Sequence, residues 1–271
     1  MKFLPDYHIH TRRCGHAAGA PDAYVAAARA AGLKEIGFAD HIPMYWLPEG
    51  ERDPGLAMRE EELAGYVAEV ARLREENPDL TIRLGIEADF IPGQTEKLAA
   101  VLSQFPFDYV IGSVHYIDGW GFDHPAKLAG YGVRDIREIY DDYFGLLQEA
   151  ARSGLFDIMA HPDLVKKFGY RPEGDLRPWY EETAAVFAGC GVCVEVNTAG
   201  LRAPAGEIYP ALDFLKVCRE RNVPVTAGSD AHAPAQVGYA WPEAQRLLQA
   251  AGYREAAVFE KRRRMRSIGL G

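Results

Sequence analysis

Asp6-Tyr7-His8-Ile9-His10 forms the first apolar stretch of the chain, and Gly228-Ser229-Asp230-Ala231-His232 answers it near the other end. Successive side chains of a β-strand point to opposite faces, so His8 and His10 project from one face, and the Asp-x-His spacing behaves the same way. Between these two stretches lie Asp40-His41, Glu87, His115 and His161, each closing an apolar segment of its own. Of the eight histidines, only His124 lies off this pattern. Side chains of metal-ligand type this far apart in sequence meet only if the fold gathers strand ends at one rim.

The segments around them alternate. Strands are predicted over residues 6–10, 35–40, 81–89, 109–115, 157–161, 192–197 and 225–230. Helical patterns separate them over 22–31, 59–76, 95–104, 133–153, 178–188 and 208–221, with a last helix from 242 through the tail. Gly32, Gly154, Gly189 and Asn222 punctuate helix ends before the next strand. Strict alternation calls for parallel strands joined by right-handed crossovers. An open doubly wound sheet collects ligands at one switch point, whereas here six of seven strands end in a candidate ligand. A closed barrel with an outer ring of helices, one βα unit short of eight, brings those ends together.

Length and composition set the class. With 271 residues, 48% hydrophobic and 25% charged, the chain is expected to form one catalytic domain over 1–271. A net charge of −9 disfavours an extended nucleic-acid contact. The start, from Met1 to Asp6, has no apolar run of signal-peptide length, and nowhere is there an apolar stretch long enough to span a bilayer, so a cytoplasmic protein without membrane contact is expected. Cys190 and Cys193 form a lone C-x-x-C, expected to be two buried small apolar residues, and Cys14 is expected to be a loop residue. The basic run Lys261-Arg262-Arg263-Arg264-Met265-Arg266 is expected to end the last helix, where positive charge suits the dipole.

Ligand type indicates the chemistry. Imidazole and carboxylate suit Zn, Fe, Mn or Co, and the histidines with Glu87 and Asp230 are too many for a single ion. Taken alone, a histidine at a strand end is ordinarily a hydrogen-bonded surface or core residue, but chance does not place so many together. Neighbouring divalent ions can activate water and clamp the attacking and leaving oxygens of a phosphoryl displacement.

At these residues the sequence resembles the polymerase and histidinol phosphatase (PHP) superfamily. The motifs are His8-Ile9-His10, His16, Asp40-His41, Glu87, Gly112-Ser113-Val114-His115, His161-Pro162-Asp163 and Gly228-Ser229-Asp230-Ala231-His232. Gly119-Trp120-Gly121-Phe122-Asp123, Leu164-Val165-Lys166-Lys167-Phe168-Gly169 and Glu195-Val196-Asn197-Thr198-Ala199-Gly200-Leu201-Arg202 resemble its histidinol-phosphatase branch.

The resemblance implies an α/β fold, a distorted (β/α)7 TIM-like barrel of PHP type, with three divalent transition metal ions (Zn, Fe or Mn) at its C-terminal rim. It implies that His8, His10, Glu87 and Asp230 hold one ion, with Glu87 bridging to a second held by His115 and His161. His16, His41 and His232 would hold the third. Asp40 would orient a ligand or handle a proton. The implied reaction is hydrolysis of L-histidinol phosphate, a small-molecule phosphate ester, in histidine biosynthesis.

In the same reading, Arg202 offers a planar fork to phosphate, and one of Lys166 and Lys167 faces the site, with Lys166 taken as the substrate contact. The long loops 43–58 and 116–132 would shape the substrate pocket, with Tyr45, Trp46 and Trp120 packing on an imidazole ring or simply closing the lid. An amidohydrolase is disfavoured because Glu87 stands where a modified lysine would bridge. A nucleic-acid-directed PHP module is disfavoured by the absence of a basic groove.

Overall fold

The computed structural model describes residues 4–265 and 267–270. Met1 to Phe3, within the start expected to hold no signal peptide, Arg266 of the basic run and Gly271 lie outside the described residues. Seven parallel strands form one sheet in sequence order: β1 (Asp6–Ile9), β2 (Glu35–Phe38), β3 (Thr81–Asp89), β4 (Tyr109–Ser113), β5 (Ile158–Met159), β6 (Cys193–Asn197) and β7 (Val225–Gly228). The sheet nearly closes on itself. His10 N–H donates to the Ala231 carbonyl at 2.9 Å and Ala231 N–H to the His8 carbonyl at 3.0 Å, so the ends of β1 and β7 meet.

Among the described residues, seven α-helices surround the sheet: α1 (Pro21–Ala30), α2 (Leu63–Glu76), α3 (Thr95–Leu102), α4 (Ile136–Arg152), α5 (Arg177–Cys190), α6 (Leu212–Glu220) and α7 (Trp241–Ala250). Their starts follow local chemistry. Pro21 occupies the first turn of α1, where a missing N–H costs nothing, and the Asp135 carboxylate caps α4 by accepting from Arg137 N–H at 2.7 Å. No helix among the described residues is long and apolar enough to cross a membrane.

Two apolar layers result from the period-two alternation of the strands. Outward residues such as Val110, Val194 and Val196 pack against the helices, while Tyr7, Tyr109, Ile111, Ile158 and Cys193 fill the barrel interior. Tyr109 needs glycine beside it. A Cβ at Gly37 or Gly85 would fall 2.0 or 2.2 Å from its ring or hydroxyl, and that hydroxyl donates to the Tyr7 carbonyl at 2.7 Å.

The tail departs from expectation. Instead of continuing as helix, the chain turns at Gly252 (φ 89°) and sends Ala257, Val258 and Phe259 into the barrel interior. Phe259–Glu260 and Arg263–Arg264 then pair as a hairpin through Lys261 and Arg262, both at positive φ. That turn is pinned: Lys261 and Arg262 donate backbone N–H groups to Asp108, and the Arg262 side chain pairs with Asp157. Burial of the Ala257–Phe259 run outweighs helix continuation, so this run plugs the barrel and the described part of the basic run forms the hairpin after it rather than a helix end.

Two cysteine expectations also change. Cys190 is exposed at the end of α5, while Cys193 is buried in β6. Cys14 is fully buried, with ligand atoms of His16 and His232 within 4.8 Å of its sulfur.

Candidate metal centre

Each strand except β6 delivers a candidate ligand at or just beyond its C-terminal end. Glu87 lies within β3 at the centre, almost fully buried. Its Oε2 is 3.1 Å from His8 Nε2, 3.4 Å from His10 Nε2 and 3.0 Å from His41 Nδ1. Its Oε1 is 3.3 Å from His161 Nε2 and 3.7 Å from His115 Nε2, and accepts from Ser113 Oγ at 2.5 Å. Asp230 Oδ1 adds contacts at 3.3 Å to His10 Nε2 and 3.8 Å to His8 Nε2. His16 and His232 approach each other at the rim.

The backbone at two of these positions is strained: His161 has φ 25° and Asp230 φ 52°, left-handed conformations unusual for these side chains. Glu195 and Arg202 over-determine them. His161 N–H donates to Glu195 Oε2 at 3.0 Å, and Arg202 Nη2 donates to the Ser229 and Asp230 carbonyls at 2.9 Å each.

The donor set fits metal ions. His8 Nε2, both ring nitrogens of His10, and Glu87 Oε2 are buried without a hydrogen-bond partner, an expensive arrangement unless a cation satisfies them. His16 and His232 make the same point. Each faces carbonyl oxygens with Nδ1, at 2.9 and 3.0 Å for His16 and 3.0 Å for His232, so that nitrogen carries the proton. Their Nε2 lone pairs are then left facing one another at 3.0 Å, a spacing suited to two nitrogens about 2.0–2.1 Å from one ion.

Electrostatics follow the same arrangement. Burial alone would raise the Glu87 carboxyl, but the surrounding rings, His41 and His8 foremost, hold it well below the usual carboxylate range. Burial works against charge on His8, yet Glu195, Glu87 and Asp230 carry it well above the ordinary imidazole range. Burial works against charge on His115 too, but Asp89, Asp123 and Glu87 together raise it to about 10. His232 is pushed down to about 3, by burial first and then by its neighbour His10.

Sequence reasoning missed the carboxylates behind the rings. Glu195 Oε1 accepts from His8 Nδ1–H at 2.7 Å, and Asp89 Oδ1 from His115 Nδ1–H at 2.8 Å, so each ring turns Nε2 toward Glu87. The period-two spacing of Glu87-Ala88-Asp89 was a signal for Asp89, and Glu195-Val196-Asn197 held one for Glu195. β6 therefore contributes residues behind the ligands. Gly228 leaves room for this: a Cβ there would lie 2.1 Å from Glu195 Oε1 and 2.5 Å from His8 Cβ. Gly228→Ala is expected to displace the His8–Glu195 pair, lowering both metal content and melting temperature; unchanged metal content by elemental analysis would contradict this.

A cavity of about 630 Å3 opens onto the centre, with Glu87, Asp230 and the ring edges of His16, His41, His115, His161 and His232 on one side. Tyr116, Asp123, His124, Lys127 and Lys167 are among the residues of its other walls. His124, off the histidine pattern, thus lies in the cavity wall, with Nδ1 accepting from Ala126 N–H at 3.1 Å. Lys167, not Lys166, faces the cavity and pairs with Asp123 at 3.0 Å. Lys166 is buried beside Asp163 and Glu207, at 2.6 and 3.2 Å, because it sits in the short 3-10 turn that points it inward.

Other expected contacts are placed differently too. Tyr45 is buried and donates to the Asp89 carbonyl at 2.7 Å, while Trp120 packs on Phe122 and Tyr131 and donates to the Lys127 carbonyl at 3.0 Å. Neither lines the cavity. Asp40 is fully buried, accepting from Thr11 N–H at 2.5 Å with Oδ1 3.9 Å from His10 Nδ1, so it lies behind the ligands rather than in the cavity. Burial raises its carboxyl to about 7 against the opposing Thr11 hydrogen bonds. Arg202 commits Nη2 to the two carbonyls, and its Nη1 is buried without a partner.

Known proteins of similar sequence and shape match the chain along nearly its whole length. A probable histidinol-phosphatase of Deinococcus radiodurans is 45% identical over 257 residues, covering 94% of this chain and 96% of that protein. A histidinol-phosphatase of Bacillus subtilis is 29% identical across 87% of this chain and 96% of its own length. The crystal structure of a histidinol phosphate phosphatase from Lactococcus lactis, complexed with zinc, L-histidinol and phosphate, has a TM-score of 0.83 over 97% of this chain and 99% of that one. At 23% identity that likeness is one of fold. The PHP domain model matches residues 6–199 and a PHP-associated model residues 215–250. By sequence, the chain belongs to the PHP domain family.

Proposed function

We propose that this protein is a metal-dependent phosphomonoesterase that hydrolyses L-histidinol phosphate to L-histidinol and phosphate, as one catalytic unit in cytoplasmic histidine biosynthesis. The observation that carries the substrate is the 45% identity, over 94% of the chain, to a probable histidinol-phosphatase. The cavity agrees with it, since metal-type donors face a lysine across a space sized for a small molecule. The net charge of −9 disfavours a nucleic-acid substrate.

Three divalent ions (Zn, Fe or Mn) suit the donors. His8, His10, Asp230 and Glu87 Oε2 would hold one, Glu87 Oε1 with His115 and His161 a second, and His16, His41 and His232 a third. Support comes from the way Glu87 presents its two oxygens to different groups of rings. Such ions, when bound, supply Lewis-acid stabilisation of phosphoryl charge and ease deprotonation of water.

The chain's own residues do the rest. Lys167, oriented by Asp123, binds the phosphoryl group from the side opposite the donors. Arg202 holds the Asp230 turn through Nη2 and leaves only Nη1 for a phosphoryl oxygen, a single contact rather than a fork. Asp40 fixes the Thr11 loop behind His10.

Phosphate release by the metal-loaded protein should be fastest on histidinol phosphate, slower on p-nitrophenyl phosphate and absent on single-stranded DNA. A higher kcat/KM on either alternative would replace the proposed substrate. Lys167→Ala should cost about 2–3 kcal/mol in kcat/KM on both phosphomonoesters, because the lost contact is to their shared group. Tyr45→Leu and Trp120→Leu, which alter lid packing, should penalise the two esters equally; a loss confined to histidinol phosphate would restore those rings to substrate recognition.

A further inference from the structure

The end of the barrel away from the metal centre carries a second polar cavity, of about 420 Å3, where β7 begins. It lies between the turn from α6 into β7, the turn after α7 and the tail hairpin. Arg219, Arg254 and Arg264 line it, against a single acidic residue, Glu255. Several arginines elsewhere on the surface are taken up in ion pairs, as Arg29 is with Asp79, Arg72 with Asp22 and Arg177 with Glu181. Among the described residues, Arg219, Arg254 and Arg264 have no carboxylate within ion-pair distance.

This local excess of positive charge stands out on a chain of net charge −9. Part of it is also fixed in place. Arg219 donates from Nε to the Gly252 carbonyl and from Nη1 to Asn222 Oδ1, both at 3.1 Å, and rests against the Tyr253 ring. Arg264 is carried by the hairpin that Asp108 and Asp157 anchor to the barrel. Asn222, at φ 58°, and Ser267 add neutral hydrogen-bonding groups to the wall. Unpaired guanidinium groups converging from three chain segments are the means by which proteins hold phosphate groups.

We propose that this cavity binds a multivalent phosphate-type anion, independently of the catalytic centre. Its volume exceeds that of one phosphate group, so either inorganic phosphate or a phosphorylated small molecule of nucleotide size can supply the anion.

Equilibrium dialysis of the metal-loaded protein with radiolabelled inorganic phosphate tests the site. The wild-type protein should bind one more phosphate per chain than Arg254→Glu/Arg264→Glu, with half-saturation at about 1 mM or tighter. Both residues are exposed and remote from the metal centre, so kcat/KM should stay within about twofold of wild type. ADP, which is not a phosphomonoester, distinguishes the sources. Displacement of the extra phosphate at ADP concentrations about tenfold lower than those of unlabelled phosphate identifies a nucleotide-sized ligand, and equal displacement identifies the simple ion. Arg254→Gln and Arg264→Gln, each weakening the site in part, guard against misfolding of the double variant. Equal phosphate stoichiometry and affinity in wild-type and variant proteins would overturn the proposal.

Discussion

Glu87→Ala is expected to remove most of the bound metal and to lower kcat/KM by about 10^3-fold or more, roughly 4 kcal/mol of transition-state stabilisation. No other carboxylate touches so many rings. Its two oxygens lie between 3.0 and 3.7 Å from nitrogens of His8, His10, His41, His115 and His161; without them only Asp230 still faces His8 and His10 Nε2, and the other three nitrogens lose the carboxylate they share. His16→Ala, at the exposed rim beside His232, should lose less metal and less activity. Elemental analysis of both variants, prepared with the same metal supplement, provides the comparison. Equal residual metal in the two would mean that Glu87 does not bridge.

The second large effect belongs to a residue outside the ligand set. Glu195→Ala should weaken metal binding by about 10–100-fold, the range for partners that orient ligating histidines. The carboxylate acts twice, accepting from His8 Nδ1–H at 2.7 Å and from His161 N–H at 3.0 Å, where it supports a backbone at φ 25°. Without it, His8 can place its proton on either nitrogen and loses the orientation that turns Nε2 toward Glu87 and Asp230. Glu195→Gln keeps the volume but not the charge, so its affinity should fall between those of the wild type and the alanine variant. Competition with a chromophoric chelator measures this directly, and excess metal should restore much of the turnover. A variant with a lowered melting temperature but wild-type metal affinity would reduce Glu195 to a packing role.

Much of the architecture was legible in the sequence because it rests on local signals. Strand and helix alternation follows from apolar periodicity, and the parallel arrangement from that alternation. His8 and His10, or Asp230 and His232, announce a shared face through spacing alone. The same locality sets the limit. Lys166 and Lys167 are adjacent and chemically alike, and only the 3-10 turn after His161, packed against Asp163 and Glu207, decides that Lys166 is buried and Lys167 reaches the cavity.

The tail shows the limit most plainly. From Pro242 onward the residues are compatible with a continuing helix, but the open end of the barrel offers Ala257, Val258 and Phe259 an apolar interior, and Asp108 and Asp157 hold the turn that follows. Tyr45 and Trp120 likewise carry the aromatic character that suggests substrate contact, yet the loops spend both rings on their own packing. By itself the sequence determined the kind of fold, the family and which side chains have metal-ligand chemistry, since residue type and spacing encode these directly. Which ring each partner aims, Glu195 behind His8 and Asp89 behind His115, and which cation faces the cavity were decided only by tertiary structure, because spacing marks a shared face but not the side chain met across the fold.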